Sequence, residues 1–297
     1  MKYPTRRVIL LSFLLISLVI FKFDGQPEVH ARDMPPSLVV HTLTGNIQLH
    51  KKFQSAFLPA RDIIVYLPPD YEKEATRRYP VLYMQDGQII FDIATSFFAG
   101  QERHMDERAQ ALIAINKIRP LIIVGIYSGG LARKNEFTPP TVTQPGEADS
   151  YGRMLVEEIK PFVDSHYRTL TDRADTGLGG SSMGGTVSLY LGIKYAKIFG
   201  RLAITSPAAF RDDEMIVRYV QSLKAKTNQQ ICLSAGTNEP SIFLNSTRHL
   251  RQALIDKGWK EGTDLSYMEA AGSQHSPDER ALRVTHLLTS LFPTPTK

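Results

Sequence analysis

Thr176-Gly-Leu-Gly-Gly-Ser-Ser-Met-Gly-Gly-Thr186 decides how the rest of this chain is read. Within it, Gly180-Ser181-Ser182-Met183-Gly184 fits G-x-S-x-G. By composition alone such a match arises in roughly one chain of this length in ten, so its surroundings carry the argument. The residues before it, Thr176 to Gly180, read as a strand, and those after it, Gly184 to Tyr195, as a helix. A serine on so sharp a strand-to-helix turn needs small neighbours where strand and helix nearly touch, and Gly180, Gly184 and Gly185 provide them. Ser182 is then the candidate nucleophile, and Ser181 points away from the tip. A phosphate-binding loop would also place glycines at a helix N-terminus, but it calls for a following lysine that is missing here.

Working outward, short apolar runs alternate with helical periodicity. Leu38–Thr44, Ile47–His50, Asp62–Leu67 and Val81–Met84 read as strands, the first pair joined by a turn at Gly45-Asn46. Strands are then expected at Leu121–Ile126, Arg201–Ser206, Ile231–Ala235 and Leu265–Glu269. Helices are expected near Met105–Ile115, Tyr151–Tyr167, Asp213–Leu223, Ser246–Lys257 and Pro277–Leu291. This alternation predicts an α/β fold: a mostly parallel central sheet with helices on both faces and antiparallel N-terminal strands. Ligands of such sheets bind at the carboxyl ends of the strands, so the loops there are candidate site walls.

Three of those loops hold the partners that a serine needs. A hydroxyl is a poor nucleophile until a base takes its proton. In this fold the order along the chain is Ser, acid, His. His275 lies in the loop after the last strand, whereas His286 falls inside a helical run and reads as a packed histidine. The acid follows Ile231–Ala235, where Glu239 stands in Gly236-Thr-Asn-Glu, with Asp212 and Asp213 as the nearest rivals. The oxyanion donors are expected to be the N–H groups of Met183 and of Gln88, which follows Asp86-Gly87. The long stretch Tyr127–Ser150, rich in Pro and Gly, is expected to wall the pocket, with Arg133, Glu136 and Phe137 as candidate substrate contacts.

Residues 1–31 stand apart. Lys2, Arg6 and Arg7 precede the apolar run Val8–Phe21, and Val29-His30-Ala31 suits a signal-peptidase cut after Ala31. The run is short for a membrane span, though an uncleaved anchor through residues 8–21 is the alternative. Both readings place the remainder, 32–297, outside the cytoplasm (periplasmic or secreted) as one domain. The formal net charge of +5 falls to +3 without the leader, too little to indicate nucleic acid, and no basic stripe interleaves with aromatics. One cysteine, Cys232, forms no internal disulfide and reads as a small core residue.

Taken together, Tyr79-Pro-Val-Leu-Tyr-Met-Gln-Asp-Gly87, Asn135-Glu-Phe-Thr-Pro139, Gly179-Gly-Ser-Ser-Met-Gly-Gly185, Gly236-Thr-Asn-Glu239 and the His275 loop resemble the putative esterase family, over roughly residues 38–292. That family includes enterochelin esterases, S-formylglutathione hydrolases, feruloyl and acetylxylan esterases and mycolyltransferases. The resemblance implies an α/β-hydrolase fold and a Ser-His-acid mechanism on Ser182, His275 and Glu239, with no metal and no cofactor. Members often carry Trp shortly after the histidine, where this chain has Arg280, and its only Trp is Trp259. The expected activity is hydrolysis of a bulky ester, such as a siderophore or carbohydrate ester, small or polymer-borne. Residues 207–230 leave no room for a cap domain between their flanking strands, so an open cleft is expected. An acyltransferase on the same fold is the first alternative. A non-catalytic binding protein is the second, and an intact Ser, acid and His in order argues against it.

Overall fold

The computed structural model describes residues 40–141 and 145–295. Its centre is one eight-stranded sheet: β1 (Asn46–Phe53), β2 (Arg61–Leu67), β3 (Val81–Gln85), β4 (Ile122–Ile126), β5 (Thr176–Ser182), β6 (Arg201–Pro207), β7 (Gln230–Gly236) and β8 (Leu265–Ala270). The spatial order is β1-β2-β4-β3-β5-β6-β7-β8. The pairs β1/β2 and β2/β4 are antiparallel and all later pairs parallel, as the missing helices between the first strands imply.

Side chains alternate between two core layers, the period of a strand buried on both faces. Ile63, Val65, Val81, Tyr83, Ile122 and Val124 enter one layer, and Ile64, Tyr66, Leu82, Met84 and Ile123 the other. Helices α1 (Met105–Ala114) and α9 (Val284–Leu291) cover the second layer through Met105, Ala109, Leu287 and Leu288. The first layer is covered by α3 (Ala148–Arg153), α4 (Lys160–His166), α5 (Met183–Lys194), α6 (Arg211–Ser222) and α7 (Ser241–Lys257). Between β6 and β7 the only helix is α6, so no cap domain is inserted there.

Four details depart from the pattern expected from sequence. Within Leu38–Thr44, residues 38 and 39 lie outside the described residues, and 40–44 form no strand. Their polar groups go to carboxylates instead. Thr42 N–H meets Asp92 Oδ1 at 3.1 Å, and Thr44 N–H meets Asp106 Oδ2 at 2.7 Å. The first strand therefore begins after the Gly45 turn, and β1 carries a bulge between His50 and Phe53, where Lys52 is left-handed (φ 54°). The Tyr151–Tyr167 helix contains a π-turn, Met154–Ile159. Pro161 follows it within the first turn of α4 and has no N–H to continue the ladder. The last helix is two, α8 (Pro277–Ala281) and α9, broken where Arg283 turns its guanidinium inward. The leader lies outside the described residues, and no helix among them is long and apolar enough to cross a membrane.

The described start of the long loop after β4 is pinned. It contains α2 (Arg133–Glu136), and Glu136 receives both Arg61 Nη1 and Nη2 at 2.9 Å with neither side chain appreciably exposed. Removing one member leaves a bare buried charge. We expect Glu136→Ala to cost about 3–5 kcal/mol in chemical denaturation, and Arg61→Met/Glu136→Leu together to cost less than the single change.

Candidate active site

Ser182 closes β5 and α5 begins at the next residue. Its backbone sits at φ 55°, ψ −128°, a conformation that side chains rarely adopt and that persists only when its surroundings enforce it. The enforcement is visible at the glycines. A Cβ on Gly180 would come within 2.5 Å of the Gly184 carbonyl, and one on Gly184 within 3.1 Å of both Gln85 and Asp86. The carbonyl of Ser182 accepts the Ala208 N–H at 3.1 Å, tying the turn to the end of β6. Ser182 is partly exposed, while Ser181 is buried with its hydroxyl unpaired.

Glu239 and His275 meet. His275 Nδ1 lies 3.0 Å from Glu239 Oε2. The other carboxylate oxygen, Oε1, receives the Gly236 N–H at 2.9 Å, Arg283 Nη2 at 3.0 Å and the Ser206 hydroxyl. Arg283 Nη1 in turn donates to Ser206 Oγ at 2.8 Å. The acid and base loops are stitched together as well: Asn238 N–H bonds Ser273 O at 3.0 Å, and Gly272 N–H bonds Thr237 Oγ1 at 2.8 Å. A Cβ on Gly236 would collide with the Ser273 carbonyl at 2.1 Å, so this approach requires glycine. The ring of Phe243, from α7, packs 4.0 Å from the imidazole centroid and fixes its other side.

Environment pulls the two groups apart electrically. Burial alone pushes the Glu239 carboxyl up, but hydrogen bonds from His275 and Ser206, with the charges of His275 and Arg283, hold it below the usual carboxylate range. It is therefore the anion at neutral pH. Burial lowers His275 below its ordinary 6.5, Glu239 opposes this, and the charges of Arg280 and Arg283 add to the lowering. With an ionised carboxylate at Nδ1, that nitrogen carries the proton and Nε2 presents a lone pair.

The rival acids are elsewhere. Asp213 stands almost fully in solvent, paired with Arg218, and Arg218 also holds the Asp212 carbonyl. Gln88 lies in the turn Gly87–Ile89, directly after β3 and left-handed Asp86. A Cβ on Gly87 would be 2.5 Å from the Gly125 carbonyl carbon, which is why the turn can pack on β4 only as glycine. The Gln88 side chain faces Ser128, with Nε2 2.7 Å from its Oγ. Met183 is the first residue of α5 and Gln88 stands in the first turn of its helix, where backbone donors lack intrahelical acceptors.

Two candidate substrate contacts are corrected. Glu136 is wholly buried on Arg61, and Phe137 is 1% exposed against Tyr151. Both hold the loop and cannot reach a ligand. Arg133 is partly exposed but clamps Asp86 through Nε at 2.6 Å and Nη2 at 2.8 Å. Cys232 is a core residue whose thiol burial pushes up to about 12, and His286 bonds Ser266 at 3.1 Å. Among the described residues Glu102, His104 and Glu107 lie close enough to share a cation, and Glu102 is also engaged by Thr42. Sequence reasoning missed Ser206, Phe243 and Arg283. None lies in a motif, although the Ser206 position at a strand end was a usable signal.

A family model described as Putative esterase matches residues 56–275. Protein YbbA of Bacillus subtilis (strain 168) is 23% identical over 248 residues, covering 78% of this chain and 91% of that protein. A ferulic acid esterase from Anaeromyces mucronatus superposes with a TM-score of 0.61 at 18% identity, covering 87% of this chain and 94% of that one. The enterobactin esterase of Shigella flexneri does so with a TM-score of 0.61 at 16% identity, covering 84% of this chain and 58% of that one. At such identities the structural likenesses speak for the fold, while the family match spans most of the chain. The chain belongs to the Putative esterase family, and it is a carboxylic-ester hydrolase of the α/β-hydrolase fold.

Proposed function

We propose that Ser182, His275 and Glu239 are the catalytic triad of this esterase, with Gln88 and Met183 N–H groups as its oxyanion donors. The observation that carries this reading is the Glu239–His275 pair at 3.0 Å, on adjoining strand-end loops, in the sheet that carries left-handed Ser182. His275 Nε2 takes the Ser182 proton as Oγ attacks the ester carbonyl. The tetrahedral oxyanion is held by the two N–H groups, each worth about 2.7–4 kcal/mol in comparable sites. His275 returns its proton to the departing alkoxide, leaving an acyl-enzyme. Water, deprotonated by the same nitrogen, releases the acid. Glu239 keeps the imidazole in the productive tautomer and stabilises the imidazolium without itself taking the proton.

The absence of an inserted cap between β6 and β7 supports a cleft open to bulky or polymer-borne acyl groups. A ferulic acid esterase and an enterobactin esterase are among the similar structures. The basic start and apolar run of residues 1–31 support action outside the cytoplasm.

Hydrolysis of p-nitrophenyl esters tests the triad. Ser182→Ala should lower kcat by ~10⁴-fold or more and Glu239→Gln by roughly 10³–10⁴-fold, and rates equal to wild type would overturn the assignment. The pH profile is a second check. The base works only when neutral, and His275 is lowered, so kcat/KM falls as pH drops through a midpoint below 6.5 rather than at or above it. Intact mass of the exported protein should start at Arg32, whereas a retained N-terminus would favour the anchor.

A further inference from the structure

Four arginines crowd the ground beside the triad. Arg103 follows the oxyanion turn, and its N–H bonds Ile89 O at 3.0 Å. Arg280 stands on α8, five residues beyond His275. Arg283 holds Ser206 and Glu239, and Arg133 holds Asp86. Glu102 N–H donates to Asp278 Oδ1 at 3.1 Å, so the segment carrying Arg103 is tied to the helix carrying Arg280.

Like charges act on one another there. Arg280 feels Arg103 and Arg283 against Glu239 and Asp86, and Arg103 feels Arg283 and Arg133 against Asp86. Among the described residues, the carboxylates that act most on these two guanidiniums, Glu239 and Asp86, are already engaged by Arg133, Arg283 and His275. Arg103 and Arg280 are each 4% exposed, and neither guanidinium donates a hydrogen bond to a described residue. Arg103 Nε and Arg280 Nε and Nη1 are covered with no acceptor. Burial pushes Arg103 down to about 10 and lowers Arg280 strongly, yet an arginine in a protein stays protonated. Buried charges are ordinarily paired, and the guanidinium fork matches the two oxygens of a carboxylate or phosphate.

We propose that Arg103 and Arg280 form an anion subsite beside His275, and that the preferred ester carries a carboxylate or phosphate group close to its scissile carbonyl. The inference rests on the triad reading, because Arg280 is near enough to act on the His275 imidazole. It narrows the substrate from bulky esters to anionic ones.

The test compares matched neutral and anionic esters on the wild-type enzyme. One pair is p-nitrophenyl valerate against mono-p-nitrophenyl glutarate, for an anion on the acyl side. The other is ethyl butyrate against O-butyryl lactate, for an anion on the alcohol side. At least one anionic member should show kcat/KM roughly tenfold or more above its neutral partner, the worth of one charged hydrogen-bonded contact. Free glutarate or inorganic phosphate should inhibit competitively, and which of them does so separates carboxylate from phosphate recognition. Arg103→Gln and Arg280→Gln should each collapse the preference and weaken the inhibition, with circular dichroism reporting that the variant is folded. Neutral esters turned over as well as anionic ones in both pairs, with no inhibition by either anion, would overturn the subsite and leave the triad standing. A wild-type enzyme that hydrolyses none of the four and is not labelled at Ser182 by a fluorophosphonate would overturn both.

Discussion

One carboxylate oxygen, Glu239 Oε1, gathers donors from three separate parts of the chain. The Gly236 N–H comes from the end of β7, the Ser206 hydroxyl from the end of β6, and Arg283 from the break between the last two helices. With those bonds made, Oε2 faces His275 alone among the described residues. The order of the bonds matters physically. A buried carboxylate with a single partner would be drawn toward protonation, whereas one with several donors stays ionised although it is buried. Burial lowers His275, and the charges of Arg280 and Arg283 add to the lowering. In the proposed triad Glu239 is thus the anion and His275 the neutral ring, in direct contact at 3.0 Å.

The middle of the sheet was legible because its constraints are local. Runs such as Val81–Met84 and Leu121–Ile126 are apolar throughout since both faces are covered, and the glycines around Ser182 stand where a Cβ would strike backbone. The order Ser, acid, His followed from which strand precedes each loop, and Glu239 and His275 do meet. The edges were less legible. Val40, Thr42 and Thr44 alternate like a strand, but the carboxylates that claim Thr42 and Thr44 lie 50 and 62 residues away. Sequence periodicity carries no trace of such partners.

Charged residues were the harder lesson. Arg103, Arg280 and Arg283 look like ordinary surface arginines, and Glu136 like a loop acid facing a ligand. All four are buried. Burial of a charge is decided by what the rest of the chain brings to it: Arg61 to Glu136, Glu239 to Arg283. Neither partner is near in sequence. Phe137 was misread for a related reason, since its ring is packed by Tyr151 and by the Arg133 guanidinium rather than offered to the cleft.

The bulge in β1 has a consequence beyond the local geometry. A sheet of eight strands ends in two rows of unspent backbone donors and acceptors, an invitation to a strand from another molecule. Here the outer row of β1 is interrupted between His50 and Phe53, with Lys51 and Lys52 exposed at the kink and the Lys52 N–H given to Asp62. At the far side, Arg248 and Arg251 from α7 lean onto Glu269 and Tyr267 of β8. Both margins are thereby poor templates for strand addition. Copies of this enzyme crowded together have little purchase for joining sheet to sheet, so the long run of paired strands at the centre need not become a seed for aggregation.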